Sequence, residues 1–163
     1  MTDIPIEKKF EILCAITRAT YFAWREAATT LCPQVKPQDF VNKFWEITGR
    51  DTAKAYLKRL DVNKPLPRQV AEGIVWSSVT MGEDAELVPG KNDKEAFVKH
   101  NACPWLGWHQ RLGLLEEDQA GCDIWFEVTI KTINDKLGTK IKFETQGSLP
   151  AGSTSCLRRI WVD

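Results

Sequence analysis

The segment TKIKFETQGSLPAGSTSCLRRIWV, residues 139–162, decides the fold class of this chain. In residues 139–146, isoleucine and phenylalanine alternate with lysine and glutamate, and residues 154–162 carry a second alternating apolar set. Alternation with a period of two is typical of β-strands that bury one face. The intervening GSLPAGS, residues 147–153, has the glycine and proline of a turn. The segment therefore predicts two strands that pair with each other.

The preceding residues add two helices and two more strands. Residues 118–137 are predicted to form a long helix closed by Gly138 as its C-cap, and Cys103-Pro104 is predicted to begin a short helix. Residues 85–88 and 95–101 are short enough and apolar enough to form strands on either side of a turn. The second half of the chain is thus predicted to run strand-strand-helix-helix-strand-strand.

The first half of the sequence is predicted to be helical. Apolar residues recur at three- and four-residue steps in residues 6–31, a second helix begins near Pro37, and a third covers residues 68–79. Gly49 is a candidate break in the second helix.

Together these elements predict an α+β fold, in which N-terminal helices pack with a four-stranded antiparallel sheet unit. We expect one domain over residues 1–163, with a helical part in residues 1–80 and an α+β part in residues 81–163.

The composition excludes several classes of protein. Lysine plus arginine number 22, as do aspartate plus glutamate, whereas nucleic-acid-binding proteins usually carry a basic excess. No apolar run approaches the roughly 20 residues that span a bilayer, and the N-terminus lacks the order of a signal peptide. The five cysteines are an odd number, so they cannot all pair within one chain. We therefore expect a cytoplasmic protein that neither binds nucleic acid nor inserts into a membrane.

Four potential metal ligands in the second half are the centre of the predicted chemistry. His100 and Cys103 form an H-x-x-C pair, Cys122 lies in the long helix, and Cys156 lies on the last strand. Thiolates and imidazoles are common ligands of zinc, so zinc or manganese is expected here, with an iron centre as a further option. Because the last two strands pair, Glu144 is expected near Cys156. Free cysteines are also often small buried hydrophobes, and that alternative stays open for all three thiols.

The remaining cysteines and the second histidine are assigned no chemistry. Cys14 and Cys32, on the first helix and at its end, are expected to be ordinary packing residues. His109 stands in the polar run WHQR and is predicted to lie at the surface.

Aromatic residues and two arginines near the cysteines suggest a small-molecule pocket. Trp105, Trp108 and Trp125 either pack in the core or form the apolar wall of such a pocket. Neighbouring residues on a strand point to opposite faces. One of Arg158 and Arg159 is therefore placed to meet an anionic ligand, unless both are solvated.

The motifs CPW (103–105), GCDIW (121–125) and FETQGSLPAGSTSCLRRI (143–160) resemble the L-2-amino-thiazoline-4-carboxylic acid hydrolase-like family. This resemblance covers residues 97–162. The same region is more loosely similar to vinyl-reductase-type small-molecule-binding domains, in which cysteines and an acidic residue hold zinc beside a ligand pocket.

The resemblance implies a metal-dependent hydrolase that acts on a small cyclic C–N substrate. Cys103, Cys122 and Cys156 match the cysteine positions and are the expected metal ligands, with His100 as an optional fourth. A bound metal would lower the pKa of its water and supply hydroxide. The candidate general base is the acidic residue that matches the family, Glu144.

Asp123 is an alternative base, and Arg158 or Arg159 would clamp a substrate carboxylate.

Three other functions stay open. The chain could be a non-catalytic module that binds a small ligand or cofactor beside a cysteine-ligated metal. It could use Cys103 as a nucleophile, with a thiol pKa lowered by a helix N-terminus and by His100. It could also be a homo-oligomer or an accessory subunit of a larger enzyme complex, with exposed aromatic residues at the interface.

Overall fold

A four-stranded antiparallel sheet in the computed structural model confirms the predicted α+β fold. The structure describes residues 3–163, and its strands are β1 (Asp84–Pro89), β2 (Glu95–Ala102), β3 (Lys142–Gly147) and β4 (Cys156–Trp161). Their order across the sheet is β1-β2-β4-β3, and each neighbouring pair is antiparallel. The two strands of the C-terminal segment pair as expected.

The helices also follow the predicted plan. They are α1 (Ile6–Leu31), α2 (Pro37–Leu57), α3 (Leu66–Thr80), α4 (Pro104–Leu112) and α5 (Leu115–Leu137). Glycines with left-handed backbone angles end α4 and α5, because only glycine adopts these angles without strain. Within the described residues, no helix has both the length and the apolar character needed to cross a membrane.

Helix α2 continues through Gly49, so the candidate break at this position is wrong. A Cβ atom there would lie 2.8 Å from the backbone oxygen of Trp125 on α5. The Thr129 hydroxyl of α5 also donates a hydrogen bond to the Gly49 carbonyl at 3.1 Å. The glycine therefore serves close packing of α2 against α5, and not a change of chain direction.

One face of the sheet is covered by helices and changes character along the strands. At one end, Ala96 on β2 lies opposite Ile160 on β4. At the other end, His100 lies opposite Cys156, with Arg158 between the two ends. The apolar end joins a core cluster contributed by both halves of the chain, which includes Val70, Ile74, Phe126, Ile130 and Ile133. The polar end is left for a cavity.

Candidate functional site

A cavity of about 380 Å³ lies at the polar end of the helix-covered face of the sheet. Its wall includes His100, Cys103, Cys122 and Cys156, the four residues predicted as metal ligands. The three cysteines come from separate elements of the chain, and the fold brings them to one cavity.

The arrangement of these residues does not form a metal-binding cluster. Across residues 3–163, no group of three or more His, Cys, Asp or Glu side chains is placed to hold a metal ion. The Cys156 sulfur accepts a hydrogen bond from the backbone N–H of Leu149 at 3.2 Å. The zinc, manganese or iron centre expected from the sequence stays a prediction, and the side chains present do not fit a preformed site.

Two of the thiols are held in the neutral form. Burial, and then the negative charge of Glu83, raise the pKa of Cys103 to about 12. Burial likewise raises the pKa of Cys122 well above its ordinary value. The expectation that a helix N-terminus and His100 lower the pKa of Cys103 is wrong, because desolvation of the thiolate outweighs these effects. Neutral thiols are weak nucleophiles.

His109 is buried, so its predicted surface position is wrong. Only 2% of the residue is exposed, because α4 packs against α1 and brings the ring of Phe22 within 5.0 Å of the imidazole. Its Nδ1 lies 3.0 Å from the backbone oxygen of Trp105. A carbonyl oxygen only accepts hydrogen bonds, so Nδ1 carries a proton, and in the neutral imidazole the free lone pair lies on Nε2. That Nε2 is buried without a hydrogen-bond partner among the described residues, and His109 lines the cavity.

Asp118 stands behind this imidazole. Its Oδ1 lies 3.5 Å from Nδ1 of His109, and the carboxylate is 8% exposed. Burial raises the pKa of Asp118, the nearby His109 lowers it, and the charge of Glu83 raises it further. Together, the histidine with a free lone pair and the adjacent carboxyl group form the arrangement of a general base.

The other histidine of the cavity, His100, is held through its Nε2 atom. His100 Nε2 lies 2.9 Å from the Ser78 hydroxyl and 3.2 Å from Oε2 of Glu83. The other oxygen of Glu83 accepts a hydrogen bond from the Trp105 indole N–H at 3.0 Å. This network ties α3, β2 and α4 together, so the Nε2 side of the His100 ring helps to fix the cavity wall.

Arg158 supplies the positive charge of the cavity. It is 1% exposed and donates from Nη1 to the Gly147 carbonyl at 3.1 Å. Its Nη2 lies 3.5 Å from Asp123, and the guanidinium carbon lies 5.4 Å from the centre of the Phe126 ring. Its Nε is buried without a partner in the part of the chain that the structure describes. An anionic group of a ligand would complete this set of donors.

The two carboxylates predicted as bases lie outside the cavity wall. Glu144 pairs in register with Arg159, and not with Cys156, so its expected position near Cys156 is wrong. Glu144 and Arg159 occupy the open face of the sheet, with Oε1 and Nη1 3.4 Å apart. Asp123 is held by the Thr145 hydroxyl at 2.8 Å and by Arg158.

Tryptophans from both halves of the chain line the cavity. Trp105 and Trp125 belong to its wall, whereas Trp108 stacks on a phenylalanine of α1 at 5.4 Å. Helices α2 and α3 add Trp45 and Trp76. The sequence directed attention to the second half alone, because nothing in residues 1–80 indicates that these two side chains reach the cysteines.

Comparison with protein families gives one match of broad extent. A family model described as L-2-amino-thiazoline-4-carboxylic acid hydrolase matches residues 14–160. The match begins in α1, so it covers much more of the chain than residues 97–162, to which the resemblance was assigned. Comparison with curated proteins gives no match.

Three solved structures share this fold at low sequence identity. A trafficking protein particle complex subunit 3 from Naegleria fowleri, covalently bound to palmitic acid, is 13% identical with a TM-score of 0.57, covering 94% of this chain and 96% of that chain. An H-NOX protein from S. oneidensis in the Fe(II)NO ligation state is 12% identical with a TM-score of 0.51, covering 88% and 74%. A mutant of an H-NOX protein from S. oneidensis in the Fe(II) ligation state is also 12% identical, with a TM-score of 0.50 and coverage of 88% and 72%.

Proposed function

Because the chain belongs to the L-2-amino-thiazoline-4-carboxylic acid hydrolase family, we propose that it hydrolyses a C–N bond in a small cyclic substrate bound in the cavity. The observation that carries this proposal is His109, a buried imidazole whose Nε2 has no partner among the described residues and which lines the cavity. A buried polar atom without a partner requires an explanation, and a substrate or an attacking water is the simplest one.

Arg158 orients the substrate in this proposal. Its guanidinium is buried at the polar end of the sheet and retains an unpartnered Nε among the described residues. A carboxylate on the ring would receive charge-assisted hydrogen bonds from it. The tryptophans of the wall would pack on the apolar part of the ring and exclude bulk water.

His109 performs the proton transfers, and Asp118 supports it. His109 Nε2 accepts a proton from a bound water as the water oxygen attacks the ring carbon of the scissile C–N bond. The imidazolium returns this proton to the ring nitrogen. The C–N bond then breaks as the proton of the new hydroxyl group passes to the departing nitrogen and a carbonyl group forms. Asp118, 3.5 Å from Nδ1, stabilises the imidazolium between these two steps.

Metal dependence is a separate question from hydrolysis. The predicted ion has no three-ligand group to hold it within residues 3–163, so no step of the proposed reaction is assigned to a metal. We expect activity to survive dialysis against a strong chelator. The cytoplasmic location expected from the sequence remains part of the proposal.

Replacing His109 by asparagine tests the proposal. Asparagine keeps a donor for the Trp105 carbonyl and removes the base, so kcat for 2-amino-thiazoline-4-carboxylate should fall about 100-fold or more with little change in KM. The matched control is Gln110→Asn, an exposed neighbour on the same helix, which should keep wild-type rates. An unchanged rate in His109→Asn, or loss of activity in Glu144→Gln instead, would assign the base elsewhere.

A second candidate is a binding module without turnover. The cavity wall is rich in tryptophan, and two of its thiols are neutral. Similar folds are also described with covalently bound palmitic acid and in Fe(II) ligation states. Native mass spectrometry and an absorption spectrum of the purified chain separate the two functions. A co-purifying ligand or chromophore, together with no turnover of cyclic substrates, would favour the binding module.

A further inference from the structure

Helix α1 presents two unlike faces. Its inner face consists of the buried residues Cys14, Arg18, Tyr21 and Phe22, which pack against the rest of the chain. Its outer face carries large apolar side chains that are 40% to 80% exposed, among them Trp24 and Leu31. Surface apolar residues scattered singly are normal, but a row of them along one helix marks an interaction surface.

The outer face follows a strict four–three spacing. Eight uncharged residues repeat at these steps over the whole helix, and every one of them is exposed: Ile6, Phe10, Leu13, Thr17, Thr20, Trp24, Ala27 and Leu31. Between residues 12 and 24, the only charged residue is Arg18, which is buried and donates to the Met81 carbonyl at 2.8 Å. This spacing is that of the seam between the helices of an α-helical coiled coil.

The two threonines in the middle of the seam fit an apolar contact. Thr17 donates its hydroxyl to the Leu13 carbonyl at 2.9 Å, and Thr20 donates to the Ile16 carbonyl at 2.9 Å. Their polar atoms are therefore satisfied within α1. The small side chains leave methyl groups for close approach of a second helix.

We propose that the occupant of this seam is α1 of a second copy of the chain, packed antiparallel about a two-fold axis near residues 18 and 19. The eight positions are symmetric about that point. Ile6 then lies opposite the partner's Leu31, Phe10 opposite the partner's Ala27, and Leu13 opposite the partner's Trp24. An isologous interface requires this self-complementarity, in which large side chains face small or complementary ones.

The size of the surface fits a reversible dimer. A helix of 26 residues is about 39 Å long and roughly 10–12 Å wide, which gives about 400–500 Å² per copy. A groove of about 200 Å³ between Trp24 and α2 widens the surface, and Ile47 on its rim is 43% exposed. The total lies near the lower limit of specific interfaces, so we expect a dissociation constant in the micromolar range.

The charges of α1 favour a protein partner over a lipid surface. Interfacial helices carry a lysine- and arginine-rich polar face that meets the headgroups. Here, Arg18 and Arg25 of α1 point inward, and Arg25 is paired with Glu117 of α5. The exposed Lys8 and Lys9 are paired with acidic residues, at 2.8 Å and 3.5 Å.

Sedimentation equilibrium of the full chain at about 100 μM tests this dimer. The wild type should have twice the mass of one chain, and Leu13→Glu should raise the dissociation constant about 100-fold, because each dimer would bury two unpaired carboxylates. The matched control is Val62→Glu, whose side chain is equally exposed, at 62% against 61% for Leu13. This control should remain dimeric.

A charge exchange tests the antiparallel register. Adding Trp24→Lys to Leu13→Glu places lysine opposite glutamate in both halves of the seam. The double variant should have a dissociation constant at least tenfold lower than that of Leu13→Glu alone. A monomeric wild type, or a Leu13→Glu variant that dimerises normally, would overturn the proposal. So would a monomer that binds vesicles of phosphatidylcholine and phosphatidylglycerol, and failure of the charge exchange would overturn the register.

Discussion

Arg158 and Arg159 are adjacent on β4, yet their surroundings differ completely. Arg159 points to the open face of the sheet, where Nε donates to Glu95 at 2.6 Å and Nη1 lies 3.4 Å from Glu144. Arg158 points to the helix-covered face and is 1% exposed, and among residues 3–163 its one ion-pair partner is Asp123, at 3.5 Å. The charge that is easier to solvate has more carboxylate partners than the one that is buried.

This difference distinguishes a structural ion pair from a binding site. Burying a charge without full pairing costs stability, so such a group persists where function requires it. The same end of the face also holds His109, whose Nε2 lacks a partner among residues 3–163, and Asp118, whose pKa is raised by burial. The helix-covered face should therefore govern activity, and the open face should govern stability alone.

The largest expected effect is that of Asp118→Asn. This change removes the carboxylate behind His109, so kcat should fall about 100- to 1,000-fold. The free energy of unfolding of this variant should instead rise at neutral pH. The native pKa of Asp118 is raised above its ordinary value, so the ionised form destabilises the native state at neutral pH.

Urea unfolding at several pH values checks this reversal. The variant should be more stable than the wild type at pH 8, and its advantage should disappear as the pH falls toward the ordinary pKa of the carboxyl group, 3.8. If Asp118→Asn is as active as the wild type and less stable than it at pH 8, the proposed difference between the two faces of the sheet is wrong.

Alternation and helical periodicity were enough to predict the fold, but not the contacts within it. The alternating residues of 139–146 predicted a strand. The turn residues 147–153 predicted that this strand pairs with the next one, β4. The register was not predictable from the alternation alone, because an irregularity between Thr145 and Gly147 shifts it by one residue. Glu144 faces Arg159, three residues along β4 from Cys156, so the predicted contact with Cys156 does not form.

The candidate site was predicted in part for a similar reason. His100 and the cysteines were found because their chemistry is distinctive, and they do line one cavity. His109 was missed because its neighbours in WHQR are polar, although it lies one helical turn after Trp105 on the same face of α4. Its burial depends on Phe22 of α1, far away in sequence, and local patterns carry no information about that contact.

Arg158→Met is the next test of the comparison. The KM for 2-amino-thiazoline-4-carboxylate should rise about 30- to 100-fold, because charge-assisted hydrogen bonds to the carboxylate are lost. The chain should still fold, since replacing a poorly paired buried charge by an apolar side chain of similar length is often tolerated. Steady-state kinetics measure the effect, and Arg158→Lys should recover part of it.

Two controls accompany this measurement. Arg159→Met should change KM less than twofold, because its guanidinium lies on the other face of the sheet. The uncharged amide of the same compound should bind the wild type and Arg158→Met equally. Equal losses in the two arginine variants would mean that both faces act on the site, and the proposed carboxylate contact would be wrong.

The smallest expected effect is that of Arg159→Met on stability. Partly exposed ion pairs contribute little, so the melting temperature should fall by at most about 2 to 4 °C at neutral pH. The Lys91 backbone N–H and the Arg159 guanidinium hold the pKa of Glu95 below its ordinary value of 4.5. A lowered carboxyl pKa stabilises the native state at pH values above the ordinary pKa of 4.5. This stabilisation is lost as the pH falls through the lower, native pKa. The deficit of Arg159→Met, measured by scanning calorimetry, should therefore shrink as the pH falls below 4.5 and through the lowered native pKa of Glu95. A deficit that persists in acid would mean that packing of the arginine on Trp161, at 4.4 Å, stabilises the open face instead.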